Sequence, residues 1–425
     1  MDINENAYRD IPNFEEWAYT MCGVQKVEGL ELMVEEVTET NDGTYREDNI
    51  AFMTAVDLPV NTPILYVPSD MILSSQTAYE EFKGSTNGGA VLEDVEKVLT
   101  SLNAESQLRH YYLMLKIVVE WEKGTRSPWY AWLNSLPRYF SNAASMTPFC
   151  YTCLPTLLAK LAMQERANMN HLTGGGTKRH IPFVHVETKG YVELWNWAYQ
   201  IVYTRAVEVE SRTSTTTPTQ DLQIIPVADY FNHGTDIDVV MEYDDGGNLS
   251  VYAGRDVPAQ TPLRMSYGDP TNPSYLFARY GFLDQSSPAT FCKINIPHVN
   301  SELRQLGYEH NRMLFYKDTG EVSAEVWDVL LYQLLSSTNI AKKRQLMTAH
   351  IEEDYETKSL LHEAYYPETS ARLLDHIDTF LQHLEDLSSK SSQQDITVHP
   401  RLPLILQHNE FVKETFLAVR QRYFG

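Results

Sequence analysis

Asp229, Asn232, His233 and Gly234 fall together directly after the apolar run Ile224-Ile225-Pro226-Val227. This order places a carboxylate, an amide and an imidazole in a polar loop at the end of a buried strand, where rigid scaffolds commonly carry their sites. Downstream, Met265-Ser266-Tyr267-Gly268 sets a tyrosine against a glycine, and Arg279-Tyr280-Gly281-Phe282 follows. Brought together, these groups can hold a polar ligand and aim a reacting atom. A phenol with a pKa of ~10 is a poor lone base near neutrality, so Tyr267 reads as an orienting and electrostatic group rather than a proton acceptor. Asp229 and His233, four apart, also suit two ligands of a metal-dependent hydrolase, with Asp236 as an arbitrary third.

The elements that must position these residues follow from local patterns. Val239 to Tyr243 and Leu249 to Ala253 are β-favouring runs joined by Asp-Asp-Gly-Gly-Asn, a strong hairpin signal. Ala51 to Pro68 holds two further β-like runs separated by Pro59, Asn61 and Pro63, and Phe14 to Cys22 reads as a short helix. From Leu108 to Glu122 the apolar residues Leu108, Tyr111, Tyr112, Leu115, Val118 and Val119 recur at helical spacing, predicting a helix with one inward face. Leu194 to Val209 holds a helix candidate ending in Arg205. Gly84 to Ala90 and Ser211 to Gln220 read as loops. Thr173-Gly-Gly-Gly-Thr-Lys178 lacks phosphate-loop spacing and reads as a surface loop, and His180 and His185, five apart, fall on opposite faces of a strand. After a β-like run from Thr290 to Ile296 come helical patterns at Val322 to Leu335, Leu373 to Leu387 and Glu410 to Tyr423, with a polar loop from Ser388 to Asp395.

The order of the pieces (an apolar strand into DxxNH, a hairpin, SYG, then YGF) resembles the SET-domain methyltransferases. The branch it resembles is that of the Rubisco large-subunit methyltransferases and the actin-histidine methyltransferase. The resemblance implies an α+β fold: a β-rich SET domain with a helical insert, followed by an all-helical C-terminal domain that binds substrate. The expected boundaries are 1–95 for the N-terminal part of the SET domain, 96–190 for the insert, 191–298 for its C-terminal part and 299–425 for the helical domain. It implies S-adenosylmethionine as cofactor and Tyr267 as the catalytic tyrosine. Asp229, Tyr230, Phe231, Asn232 and His233 would contact the cofactor, Tyr280, Gly281 and Phe282 would close its site, and Arg205 would lie beside it, a guanidinium matching its carboxylate. One departure stands out. Aligning Ala55-Val56-Asp57-Leu58 with the family's pattern puts Asn49 and Ala51 where two glycines are expected to let the backbone approach the cofactor.

The resemblance implies a protein-lysine N-methyltransferase acting on a non-histone protein. Histidine-directed members place a polar amide two residues after the helix-end arginine and a bulky aromatic before the DxxNH aspartate; here those positions hold Val207 and Ala228, which suits the methylene chain of a lysine. The alternatives are a SET-fold binding module without turnover and a protein-histidine methyltransferase. Composition narrows the partners. With 34 basic against 57 acidic residues, a net charge of −23 argues against a nucleic-acid backbone and for basic protein targets. Four cysteines are too few for a disulfide scaffold, and Cys150-x-x-Cys153 has no second pair to complete a zinc site, so no metal is expected. No apolar run reaches the length of a membrane span, and the start lacks a basic region with an apolar core. A monomer without membrane association, in the cytoplasm and in the nucleus as a second compartment, is the expectation.

Overall fold

The computed structural model describes residues 1–39, 45–178, 181–210, 220–291, 300–309, 312–392 and 394–425. Of the expected features, the Ser211 to Gln220 loop, apart from its last residue, lies outside these, as do His180 and most of the Thr290 to Ile296 run. The chain is α+β and divides into two compact units: Met1–Ser145 with Gln164–Tyr267, and Met146–Met163 with Gly268–Gly425.

The first unit carries the sheets. Its strands are β1 (Gln25–Lys26), β2 (Leu30–Glu39), β3 (Tyr45–Thr54), β4 (Pro63–Val67), β5 (Leu73–Ser74), β6 (Val207–Glu210), β7 (Gln220–Ile224), β8 (Asn232–His233), β9 (Val239–Tyr243), β10 (Leu249–Ala253), β11 (Thr261–Pro262) and β12 (Arg264–Met265). Among the described residues they form sheets in the orders β1-β4-β10-β9, β11-β3-β2, β5-β7-β6 and β12-β8. The predicted hairpin is β9–β10, its turn fixed by Gly247 at φ +77°. Among the described residues only the β8–β12 pair is parallel, with Arg264 opposite Asn232 and Met265 opposite His233.

Two helices support this framework. Leu108–Lys123 begins where the apolar periodicity does, but its burial goes beyond one face to Leu113, Met114 and Ile117. The cause is its place between the Ser75–Lys83 and Val192–Arg205 helices, so more than one apolar stripe is covered. Buried Glu120 is tolerated because Lys116, Lys123 and the Ser127 hydroxyl all donate to it. Val192–Arg205 ends at the expected arginine: Ala206 turns extended, at φ −81° and ψ 140°, and the β-branched Val207 opens β6. Arg205 is thereby left at the helix C-terminus, where a cation meets the negative end of the macrodipole.

Three further expectations give way. Helix Gly88–Ser101 starts inside the predicted Gly84 to Ala90 loop. The Thr173 to Lys178 loop contains the helical turn Gly175–Lys178, with Thr177 and Lys178 buried and the Lys178 ammonium over the Trp195 ring. His185 caps the Val186–Gly190 helix rather than lying in a strand.

The second unit has its own core, built on Phe315, Leu373, Ile377, Phe411 and Phe416. Its helices include Pro273–Tyr280, Ala324–Thr338, Tyr366–Ser392 and Leu402–Phe424, joined by the small pair β13 (Ala289–Phe291) and β14 (Leu314–Tyr316). Tyr366–Ser392 runs through the first residues of the predicted Ser388 to Asp395 loop. The segment Met146–Met163 belongs here: Thr147 meets His399 at 2.8 Å, and the buried Asn409 donates to the Cys153 carbonyl at 2.9 Å. Among the described residues no helix is long and apolar enough to cross a membrane.

Candidate active site

The strand that leads into the polar loop is β7, and the chain leaves it through a strained turn. Val227, fully buried and β-branched, sits at φ +75° and ψ −56°, a conformation that costs a non-glycine residue about 1–3 kcal/mol. The turn delivers Ala228–Tyr230 as a short 3₁₀ segment and points Asp229 and Tyr230 into the core. Arg205 Nη1 donates to the Asp229 carboxylate Oδ2 at 2.9 Å and to its backbone carbonyl at 2.8 Å, while Trp132 Nε1 also donates to Oδ2. The ion pair is deeply placed, with side-chain exposures of 14% for Arg205 and 1% for Asp229. Burial pushes the Asp229 carboxyl above its usual range, against the pull of Arg205. Burial alone would lower Arg205, but the Asp229 carboxylate and the Tyr230 and Tyr267 phenols more than reverse this and hold it above its ordinary value. Asp229 Oδ1, also buried, has no hydrogen-bond partner among the described residues. Tyr230 stacks its ring 5.0 Å from the Arg205 guanidinium and anchors its hydroxyl on Ser135. Phe231 packs on Phe52 of β3 with ring centroids 4.9 Å apart.

β8 and β12 then bring Tyr267 back to the loop. The Tyr267 amide donates to His233 Nδ1 at 3.1 Å, and its phenol donates to the Phe231 carbonyl at 2.8 Å. The first contact makes Nδ1 an acceptor, so a neutral His233 carries its proton on Nε2. Gly234 is needed beside this crossing: a Cβ there would meet Arg264 Cβ at 2.7 Å. Asn232 faces β3, donating from Nδ2 to Asn49 Oδ1 at 2.7 Å and to Glu35 Oε2 at 2.9 Å. Arg264 forks onto the same Glu35 carboxylate, Nη1 to Oε2 at 3.1 Å and Nη2 to Oε1 at 2.5 Å.

Of the residues singled out in the sequence, the first unit gathers Arg205, Asp229, Tyr230, Phe231, Asn232, His233 and Tyr267. Tyr280, Gly281 and Phe282 belong to the second. There Asn272 caps the Pro273–Tyr280 helix, Gly281 ends it in the left-handed region at φ +81°, and the Tyr280 and Phe282 rings lie 5.9 Å apart. Burial raises the Tyr280 phenol, with Arg279 pulling the other way. The metal-hydrolase arrangement does not assemble: Asp229 Oδ2 is taken by Arg205, His233 Nδ1 by the Tyr267 amide, and Asp236 is exposed. Sequence reading missed Trp132, Glu35 and Arg264. The sole local hint was an arginine between Leu263 and Met265, an odd residue in an otherwise apolar approach to Ser266-Tyr267-Gly268.

No protein-family model matches the chain. The SET domain of LSMT bound to lysine and AdoHcy superposes with a TM-score of 0.60 at 14% identity, covering 98% of this chain and 92% of that one. Rubisco LSMT bound to AdoMet gives 0.57 at 13% identity, with the same coverage. The chain has the SET-domain fold. In sequence it is 24% identical over 185 residues to SET domain-containing protein 4 of Artemia parthenogenetica; the match covers 43% of this chain and 46% of that protein, so it spans about half the length of the curated relative.

Proposed function

We propose that the chain is an S-adenosylmethionine-dependent protein methyltransferase whose acceptor is a lysine of a non-histone protein. The observation that carries this reading is the convergence of Tyr267 on the Asn-His segment, with its phenol on the Phe231 carbonyl and its amide on His233. The fold neighbours bound to AdoMet, and to lysine with AdoHcy, support it. The residues fit such a cofactor in one respect: a buried carboxylate oxygen, Asp229 Oδ1, has no hydrogen-bond partner among the described residues, and a donor on a bound molecule would satisfy it.

When bound, the cofactor supplies an electrophilic methyl group on a sulfonium sulfur. Transfer of that methyl to an amine, with the sulfur leaving as a thioether, would be an in-line displacement, so the residues around the site would have to hold donor and acceptor collinear and positioning would supply much of the rate. The acceptor amine, with an ordinary pKa of ~10.4, must first give its proton to water, and desolvation in an apolar channel lowers that pKa. Val207 and Ala228, both apolar, are assigned to the side of the site that would take the lysine methylenes. Tyr267, whose hydroxyl donates to the Phe231 carbonyl, is assigned the orienting of the amine. Asn232 and His233 are assigned to the cofactor side of the loop.

The test is incubation of cell extract with the protein and labelled cofactor, followed by mass spectrometry of the modified peptides. Methyl-lysine is expected. Methyl-histidine as sole product would transfer the assignment to the histidine reading, and binding of cofactor without consumption would leave a binding module.

A further inference from the structure

The Asp229–Tyr230 step is held by a single short helix, Tyr130–Ser135. Its Trp132 indole N–H donates to Asp229 Oδ2 at 3.3 Å, and its far end receives the Tyr230 phenol, on Ser135 Oγ at 2.8 Å and the Ser135 carbonyl at 2.9 Å. The Ser135 hydroxyl gives its own proton to the Trp132 carbonyl, so its oxygen serves Tyr230 as an acceptor. Tyr230 in turn stacks on Arg205, whose Nη1 is engaged by Asp229. The plane of that guanidinium is thus fixed at two points, the Asp229 side chain and the Tyr230 ring, and both lead back to the same six residues. The strained turn at Val227 calls for such a hold, because a conformation of that kind persists only where its surroundings over-determine it.

What secures the helix is a buried cation. So short a helix does not stand on propensity alone, and its last carbonyls lack intrahelical partners. Arg138 supplies them: Nη1 donates to the Leu133 and Leu136 carbonyls, Nη2 to the Asn134 carbonyl and Oδ1, and Nε to the Asp2 carbonyl. Arg9 Nε takes the Ser135 carbonyl at 2.8 Å. Among the described residues none of the Arg138 bonds goes to a carboxylate, although the side chain is buried. Burial, with the like charge of Arg9, pushes its guanidinium down to about 10. A charge kept in the interior against that penalty, with its fork on a helix C-terminus, is there for the position of that terminus.

We propose that Arg138 is a positioning residue for the candidate site, acting through Ser135 and Tyr230 to set the plane of the Arg205 guanidinium. It fixes the end of the helix, the helix end fixes the Tyr230 hydroxyl, and the ring of Tyr230 backs Arg205. That this plane matters to a bound cofactor rests on the methyltransferase reading.

A double-mutant cycle on the full chain separates this role from plain support of the fold. By titration calorimetry with S-adenosylhomocysteine, Arg138→Met and Tyr230→Phe are each expected to weaken binding by about five- to tenfold, and the double variant to stay within about twofold of the weaker single, because the relay is already cut. Amide exchange over residues 225–234, followed by mass spectrometry without ligand, should obey the same cycle: faster in each single variant and no faster in the double. Urea denaturation should instead show Arg138→Met lowering the midpoint in both backgrounds. Effects that multiply in the affinity or the exchange cycle would mean general destabilisation and overturn the proposal. Affinity and exchange unchanged in Arg138→Met would overturn it as well. If Arg138→Met does not fold, Ser135→Ala, which deletes the Oγ acceptor, runs the same cycle against Tyr230→Phe. If the unmodified protein does not bind S-adenosylhomocysteine, the methyltransferase reading falls, and the exchange cycle alone decides whether Arg138 acts through Tyr230.

Discussion

The Tyr267 hydroxyl sits on the Phe231 carbonyl at 2.8 Å, while the same residue's backbone is tied to His233. Tyr267→Phe therefore removes one hydroxyl without freeing the loop. Stability should fall by only about 0.5–1.5 kcal/mol. Turnover should fall by about 10²–10³-fold, the usual cost of one preorganised polar group, with cofactor affinity unchanged. Single-turnover kinetics beside calorimetry on the variant separate the two effects, and an unchanged rate would remove Tyr267 from the chemistry. A different kind of residue effect belongs to His376, packed among Phe315, Phe380 and Phe416. Burial lowers its pKa from 6.5 to about 4. Above pH 6.5 both folded and unfolded chains leave it neutral; between 6.5 and about 4 the unfolded chain takes up a proton that the folded one refuses. Stability should thus drop as pH falls through that window, by about 3 kcal/mol in all, and flatten below it. His376→Phe should remove this part of the slope in urea denaturation measured from pH 7 to 4. An identical pH profile in the variant would show that the histidine is not the source.

At the scale of elements, the short parallel pair β8–β12 carries the site, and Gly234 lets it close. In Gly234→Ala the new Cβ would meet Arg264 Cβ and Cγ at 2.7 and 2.9 Å, both on a strand fixed from behind by Asp238. Overpacking of this kind costs about 1–3 kcal/mol, and a lowered urea midpoint at constant slope is the expected signature. The same pair shows what a sequence can and cannot disclose. The β9–β10 hairpin, the helix from Leu108 and the order of Asp229, Asn232, His233 and Tyr267 were legible because turn chemistry, periodicity and motif spacing are local. Arg205 was legible at a helix end too, where Ala206 turns extended and Val207 opens a β-branched strand. Glu35 was not legible. It lies 197 residues from Asn232 in an acidic stretch that reads as solvated surface, and only the β2–β3 bulge turns it toward its partners. Trp132 was hidden in the same way, as one of several tryptophans in a helical run, marked out only by its indole N–H on Asp229.

For the molecule as a whole, the division into units cuts across the chain order. The tail from residue 300 onward is not a simple appendage: His399 meets Thr147, His408 meets Ser274 and packs against Phe277, and Asn409 holds the Cys153 carbonyl. Deleting it would uncover the apolar faces of both 146–163 and the Pro273–Tyr280 helix. The truncated chain is expected to aggregate on size-exclusion chromatography and to lose near-ultraviolet dichroism; a monomeric product that unfolds cooperatively would show the first unit to be self-sufficient. The arrangement also imposes a wait during synthesis. Cys153 leaves the ribosome 256 residues before the asparagine that secures it, which at ~5–20 residues per second is about 13–50 s. For that interval Cys150 and Cys153, both fully buried in the finished fold, are exposed thiols on an unpaired segment. The nascent chain is therefore most vulnerable to oxidation and to chaperone capture midway through its translation, well before its last helix exists.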